Sequence, residues 1–132
     1  IKLSKDEANY LAGIKQVTIE GYIRYLLSLG AKLIVITDGE NAVQVTCASF
    51  SAILEVPKVS PIDTTGAGDS FISGFLFSLA QSVKYNENPK ALFDAIEQCD
   101  EVTSAVLFGA KCGAFTCQKK GAFTALPAIT DL

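Results

Sequence analysis

A short apolar run, Leu33–Thr37, constrains the fold of this chain more than any other segment. Four consecutive aliphatic residues precede the threonine, and a turn signal, Asp38–Asn41, follows it. The run has the length of a strand but lacks alternation of polar and apolar residues, so we predict a strand buried on both faces. A strand of this kind needs a covering layer on either side.

The neighbouring segments predict helices before this strand, a hairpin after it and helices towards the end. Ser4 and Glu7 have the spacing of a capping box, which predicts a short helix over 5–12. The remaining elements are predicted as helix 18–29, antiparallel β-segments 42–47 and 51–56, a helix to about residue 80, a polar connection over 84–89, and helix over 90–118 broken near Asp100. This order predicts an α/β fold with a mostly parallel sheet and flanking helices in Rossmann-like layers.

Composition bounds the class of protein. The chain has 132 residues, enough for one domain with an ordinary core, and 49% of them are hydrophobic. A net charge of −3 without a Lys/Arg stripe argues against a nucleic-acid partner. No apolar run reaches the roughly 20 residues of a membrane span, and no signal-peptide pattern is present, so we expect no membrane partner and a cytoplasmic location.

Cysteine and histidine usage excludes several kinds of catalytic site. The chain contains four cysteines without CxxC spacing and no histidine, which makes a zinc site improbable and excludes Ser-His-Asp and Cys-His catalysis. We expect the cysteines to be free core thiols.

The strongest functional signal is the loop Asp63–Asp69, which leads into an apolar helix. N–H groups at a helix start have no intrahelical partner, and the helix dipole adds partial positive charge there. Glycine lets the backbone approach a ligand closely, so Gly66 and Gly68 favour a bound phosphate. The carboxylate of Asp69 could take a proton from a hydroxyl that attacks that phosphate.

This seven-residue string resembles the second signature of the phosphofructokinase-B (ribokinase-like) carbohydrate kinases. Val35–Gly39 looks like the strand and Thr-x-Gly turn of that family, and Ser4–Glu7 looks like its Asn-x-x-Glu element with serine in the asparagine position. Gly113–Ala122, followed by Leu126 and Pro127, is similar to its last helix and adenine-side loop. The resemblance covers nearly all of residues 1–132 as the C-terminal, nucleotide-binding and catalytic-loop half of such a domain. Because the chain begins at Ile1 and contains no methionine, we expect a fragment that is inactive without the missing half.

The resemblance implies a role for each matched residue. Asp69 would be the catalytic base, and the anion hole would be formed by the amides of Gly66, Ala67, Gly68 and Asp69. The residues implied at the nucleotide are Thr37, Asp38, Gly39, Gly113 and Ala110, which stands where many members carry asparagine near the adenine. The residues implied at metals are Asp63 and Thr65, with carbonyls near Thr116, Lys119 and Gly121, for a monovalent cation, and Glu7 for Mg²⁺ through water. Glu7 could equally serve only as the capping-box residue.

The implied function is an ATP-dependent kinase for fructose or a related small sugar, with Mg²⁺ and K⁺ as cofactors. A nucleoside kinase of the same family remains open, as does a non-catalytic nucleotide-binding module. A dinucleotide site carries little weight, because the third glycine of GxGxxG and a ribose-binding acid are missing. A sheet edge left exposed by the absent half would favour a homodimer.

Overall fold

The computed structural model describes residues 1–82 and 90–132, without the side chains of Leu92 and Phe93. The predicted connection at 84–89 lies outside this range. The elements are β1 (Lys2–Ser4), α1 (Lys5–Ile14), α2 (Ile19–Ser28), β2 (Leu33–Thr37), β3 (Val43–Cys47), β4 (Ser51–Leu54), α3 (Ala67–Ser82), α4 (Ala91–Ala95) and α5 (Cys99–Thr116), followed by 3₁₀ turns at Phe123–Ala125 and Ile129–Asp131.

β2 lies between two hydrophobic layers. Leu33 and Val35 pack into a core cluster that includes residues of β3, α3 and α5. Ile34 and Ile36 point to the opposite face, where they pack with α1 and α2. The prediction of a strand buried on both faces is therefore confirmed.

The sheet has the order β1-β2-β3-β4 and is mixed. β1 pairs parallel with β2, whereas the β2–β3 and β3–β4 pairs are antiparallel. The α/β class with flanking helices is as predicted, but parallel pairing is not in the majority in the described sheet. The connections at 38–42 and 48–50 are too short for the crossover of a dozen or more residues that parallel neighbours need.

Two glycines bring α3 and α5 into close contact. A Cβ on Gly109 would lie 2.6 Å from the Phe71 carbonyl oxygen, and one on Gly113 would lie 3.1 Å from the Ala67 carbonyl oxygen. The close approach at these glycines fixes the start of α3 against α5. The expected break in the last helical segment falls at 96–98, and Asp100 lies inside α5.

All four cysteines are free, as expected, but they are not all core residues. Cys47 and Cys112 are buried, Cys99 is exposed and Cys117 is partly buried. Among the helices that the structure describes, none combines the length and apolarity needed to cross a membrane.

Candidate active site

Asp63 ties the glycine-rich loop to the segment that follows α5. Its Oδ1 accepts a hydrogen bond from the Thr65 N–H at 3.0 Å, and its Oδ2 accepts one from the Gly121 N–H at 2.9 Å. The main-chain N–H groups of Ile62 and Asp63 donate to the Cys117 carbonyl at 2.7 and 3.2 Å. These bonds to the carboxylate, that from Gly121 foremost, lower the pKa of Asp63 to about 2. Asp63 is therefore ionised at neutral pH and holds the loop in one shape.

Gly66 makes the turn into α3 and cannot be another residue without strain. Its φ of +80° lies in the left-handed region, and a Cβ there would lie 3.0 Å from the Ala122 Cβ and 3.2 Å from the Ala122 Cα. Only glycine meets both conditions without cost. The loop and the segment after α5 therefore form one packed unit in front of the helix.

The start of α3 presents N–H groups without partners in the part of the chain that the structure describes. Gly66, Gly68 and Asp69 donate no main-chain N–H bond there, whereas the Ala67 N–H donates to the Thr64 carbonyl at 3.2 Å. The Ala67 N–H is thus engaged in the tight turn from Thr64, and its predicted part in the anion hole stays a prediction. Three donors and the helix dipole remain, which together suit an anion.

Asp69 stands in the first turn of α3 and is exposed to solvent. The next residue, Ser70, is buried and donates its N–H to the Gly66 carbonyl at 2.9 Å. The helix thus turns its buried side inward immediately after Asp69 and leaves the carboxylate exposed to solvent.

A cavity of about 450 Å³ adjoins the start of α3. It is bounded by the ends of β1 and β2, the beginning of β3, the segment after β4, and α5. Several residues predicted for the nucleotide or the anion hole line it, namely Thr37, Gly39, Ala67, Gly68, Ala110 and Gly113. The structure therefore brings together segments that are distant in sequence around one space.

Lys2 is a cavity residue that the sequence interpretation missed. Parallel pairing places it opposite Val35, and its Nζ lies 3.3 Å from the position that a Cβ on Gly68 would take. Neither salt bridge found among the described residues involves Lys2. An ammonium group next to unbonded helix-start amides strengthens the case for a bound anion. No sequence signal marked this lysine, because the short strand β1 was not predicted.

Asp38 was predicted at the nucleotide, but it does not line the cavity. Its Oδ2 accepts a hydrogen bond from the Lys5 Nζ at 2.7 Å, and this interaction raises the pKa of Lys5. The pair joins the turn after β2 to the start of α1. Its neighbours Thr37 and Gly39 line the cavity. Asp38 therefore acts on the cavity indirectly, because its ion pair with Lys5 holds the turn that carries them.

Glu7 forms the capping box at the start of α1. Its Oε2 accepts the Ser4 N–H at 2.6 Å, and its own N–H donates to the Ser4 Oγ at 3.2 Å. The bond from Ser4 lowers the pKa of Glu7. The structure thus shows Glu7 as a capping-box residue, and its role in holding Mg²⁺ stays a prediction.

The oxygen atoms around Asp63 are of the type that binds a hard cation. Each carboxylate oxygen has two acceptor positions, so the two N–H bonds leave capacity for a cation, and main-chain carbonyls of Thr65 and of the segment 116–121 are oxygen ligands of the same type. Within the described residues there is no cluster of three or more His, Cys, Asp or Glu side chains. A cation there would depend on carbonyl oxygens.

Comparison with known proteins gives the family of this chain. The profile of the pfkB family carbohydrate kinases matches residues 1–129. The chain is 35% identical to probable fructokinase-7 of Arabidopsis thaliana, over 100% of this chain and 37% of that protein. It superposes with a TM-score of 0.89 on the fructokinase of Xylella fastidiosa with bound ATP, at 29% identity over 98% of this chain and 39% of that one.

A third similar structure is a double mutant of the Vibrio cholerae O395 fructokinase with fructose, ADP and potassium ion bound. The TM-score is 0.78 at 29% identity, over 98% of this chain and 37% of that one. Fold and loop together define a chain of the ribokinase-like class. The chain belongs to the pfkB family of carbohydrate kinases, and it spans less than two fifths of the length of these relatives.

Proposed function

We propose that residues 1–132 are the nucleotide-binding and catalytic-loop half of an ATP-dependent kinase that phosphorylates fructose or a related small sugar. The observation that carries the proposal is the start of α3, where Gly68, whose N–H is unbonded, lines a cavity large enough for a nucleotide, and Gly66 and the exposed Asp69 lie within two residues of it. The relatives named fructokinase support the choice of acceptor.

In the proposed reaction the sugar hydroxyl gives its proton to the Asp69 carboxylate as its oxygen attacks the γ-phosphorus. The bond between that phosphorus and the β,γ-bridging oxygen breaks, and ADP leaves with the electron pair. The amides of Gly66, Gly68 and Asp69 and the ammonium of Lys2 stabilise the negative charge on the transferred group. Because these donors are fixed by Asp63 and by glycine packing, they need no reorganisation during the step.

The same proposal includes ATP, Mg²⁺ and K⁺. Mg²⁺ neutralises phosphate charge when it is bound, and Glu7 is the residue proposed to hold it through water. Asp63 and Thr65 would hold the monovalent cation with the carbonyls described above. The potassium ion in the Vibrio cholerae structure supports the second assignment.

The test is phosphorylation of a panel of fructose, other small sugars and adenosine by the complete protein that carries this chain. Asp69→Ala should lower kcat by about 10²- to 10⁴-fold, the usual contribution of general base catalysis. Asp100→Ala is the matched control, because Asp100 is also an exposed acid in the first turn of a long helix but lies at the end of α5 opposite to Gly113, which packs against the start of α3.

If the protein phosphorylated adenosine in preference to the sugars, the proposed function would change from sugar kinase to nucleoside kinase. ATP binding without turnover of any acceptor would replace it by a binding module. If Asp69→Ala retained the kcat of Asp100→Ala, the assignment of the base would be wrong.

A further inference from the structure

The cavity has two chemically different halves. One half lies where β1 and β2 end and α3 begins, and it carries Lys2, Ser4, Thr37 and Gly68. Ser4 and Thr37 are direct partners in the parallel register, so these groups lie side by side. A hydroxyl, an ammonium and free amides meet there, which is the donor set for phosphate oxygens.

The other half is aliphatic. It lies beside the start of β3 and the segment that follows β4. Its wall consists of Val43, Val56, Pro57, Val59, Pro61 and Ala110. Val43 and Ala110 are 2% and 7% exposed, so they form a fixed surface. None of these side chains has a hydrogen-bonding atom. Pro57 and Pro61 also lack a main-chain N–H, which reduces what the backbone can offer a ligand.

Of the other polar residues that line the cavity, Thr64 lies in the loop before α3 on the phosphate side, and Glu40 and Cys117 could contact a base without fixing which purine is bound. Glu40 is exposed, and its carboxylate only accepts hydrogen bonds, either from the 6-amino group of adenine or, with the base turned over on the apolar wall, from the N1–H and 2-amino group of guanine. Cys117 lies beside Asp63 at the loop end of the cavity, where burial raises the pKa of its thiol. A neutral thiol is a weak donor to either base.

We propose that the phosphoryl-donor site selects a purine nucleoside triphosphate by shape and phosphate charge, so that GTP serves as a donor within about a hundredfold of ATP in kcat/KM. This inference rests on the proposed kinase function, which places the triphosphate at α3 and the base against the aliphatic wall. A site that hydrogen-bonds its substrate rejects an analogue by about 10⁴- to 10⁵-fold, whereas an apolar pocket reaches only about 10². The ratio of kcat/KM for ATP over GTP is therefore below about 100.

The experiment measures kcat/KM for ATP and for GTP with the complete protein. The acceptor is one sugar that the protein phosphorylates, held at a saturating concentration. A ratio below 100 supports the proposal. A ratio of 100 or more overturns it while ATP turnover upholds the kinase function. Absence of turnover with both nucleotides overturns the kinase function and this inference with it.

Two variants of one position test the wall itself. Asn and Leu have similar size and the same branching, so Ala110→Asn adds an amide to the wall and Ala110→Leu adds only bulk. The ATP/GTP ratio should change at least about fivefold in the asparagine variant and stay near that of the unaltered protein in the leucine variant. Equal changes in both variants would contradict recognition through the aliphatic wall.

Lys2→Ala supplies the complementary control from the phosphate half. Because Lys2 would contact phosphate and not the base, its removal should lower kcat/KM for ATP and GTP by the same factor. A loss confined to one nucleotide would contradict the division of the cavity into two halves.

Discussion

Replacement of Gly66 by alanine tests the packing that aims the loop at the cavity. Left-handed backbone costs a non-glycine residue about 1–2 kcal/mol. The new Cβ would also lie 3.0 Å from the Ala122 Cβ and 3.2 Å from its Cα, and such overpacking costs about 1–3 kcal/mol. Gly66→Ala should therefore lower the free energy of unfolding by about 2–5 kcal/mol.

Gly30→Ala separates the two contributions. Gly30 follows α2 with a φ of +96°, but a Cβ there would have no neighbour within 4 Å. Its loss should be the conformational cost alone, about 1–2 kcal/mol. Urea unfolding of both variants measures the difference. Equal losses would refute the close packing of Gly66 against Ala122.

The same pair of variants has a functional readout. A shift of the loop displaces the amides of Gly66 and Gly68, and a misplacement of about 1 Å can cost 10²-fold in rate. We expect kcat to fall by at least about tenfold in Gly66→Ala and to remain near its original value in Gly30→Ala. A Gly66→Ala protein with unchanged kcat would show that the loop does not position the reacting group.

Three other predictions concern packing, charge and phosphate binding. Gly109→Ala should destabilise the protein by at least about 2 kcal/mol, because the new Cβ would meet the Phe71 carbonyl oxygen. Gly13→Ala places its Cβ in open space on a helix and should not destabilise the protein. Thermal unfolding compares the two variants. Asp63 stabilises the fold in its charged form, because its pKa is lowered to about 2. The difference in Tm between the original protein and Asp63→Asn should therefore shrink as pH falls from about 4 to 2. A constant difference would contradict this. Lys2→Ala should reduce kcat/KM for ATP about 10- to 100-fold, and Lys2→Arg should restore part of it.

Local signals explain which elements could be predicted. The capping box at Ser4 and the uninterrupted apolar run of β2 are contained within a few residues, and both were found as expected. β1 is only three residues long and is defined by its pairing with β2, more than 30 positions away. The antiparallel pairing of β3 with β4 was predicted and is confirmed, whereas the antiparallel pairing of β2 with β3 was not predicted, because the layer pattern of helices favoured parallel neighbours for β2.

The site could be predicted to the same extent. Glycines and acids in a contiguous loop have a local pattern, so Gly68 and Asp69 could be proposed for the site from the sequence alone. Lys2 and the wall from Val56 to Pro61 were not, since only the tertiary fold brings them to the cavity. The use of the Ala67 N–H by the Thr64 turn is likewise a matter of local geometry that residue types do not specify.

The central claim is that N–H groups at the start of α3 bind the transferred phosphoryl group. The most direct measurement is the set of ¹H–¹⁵N amide signals of the complete protein, labelled at glycine, on addition of ATP with Mg²⁺. We expect large shifts for Gly66 and Gly68 and none for Gly13 and Gly30. Shifts at Gly66 and Gly68 no larger than those at Gly13 and Gly30 would contradict it.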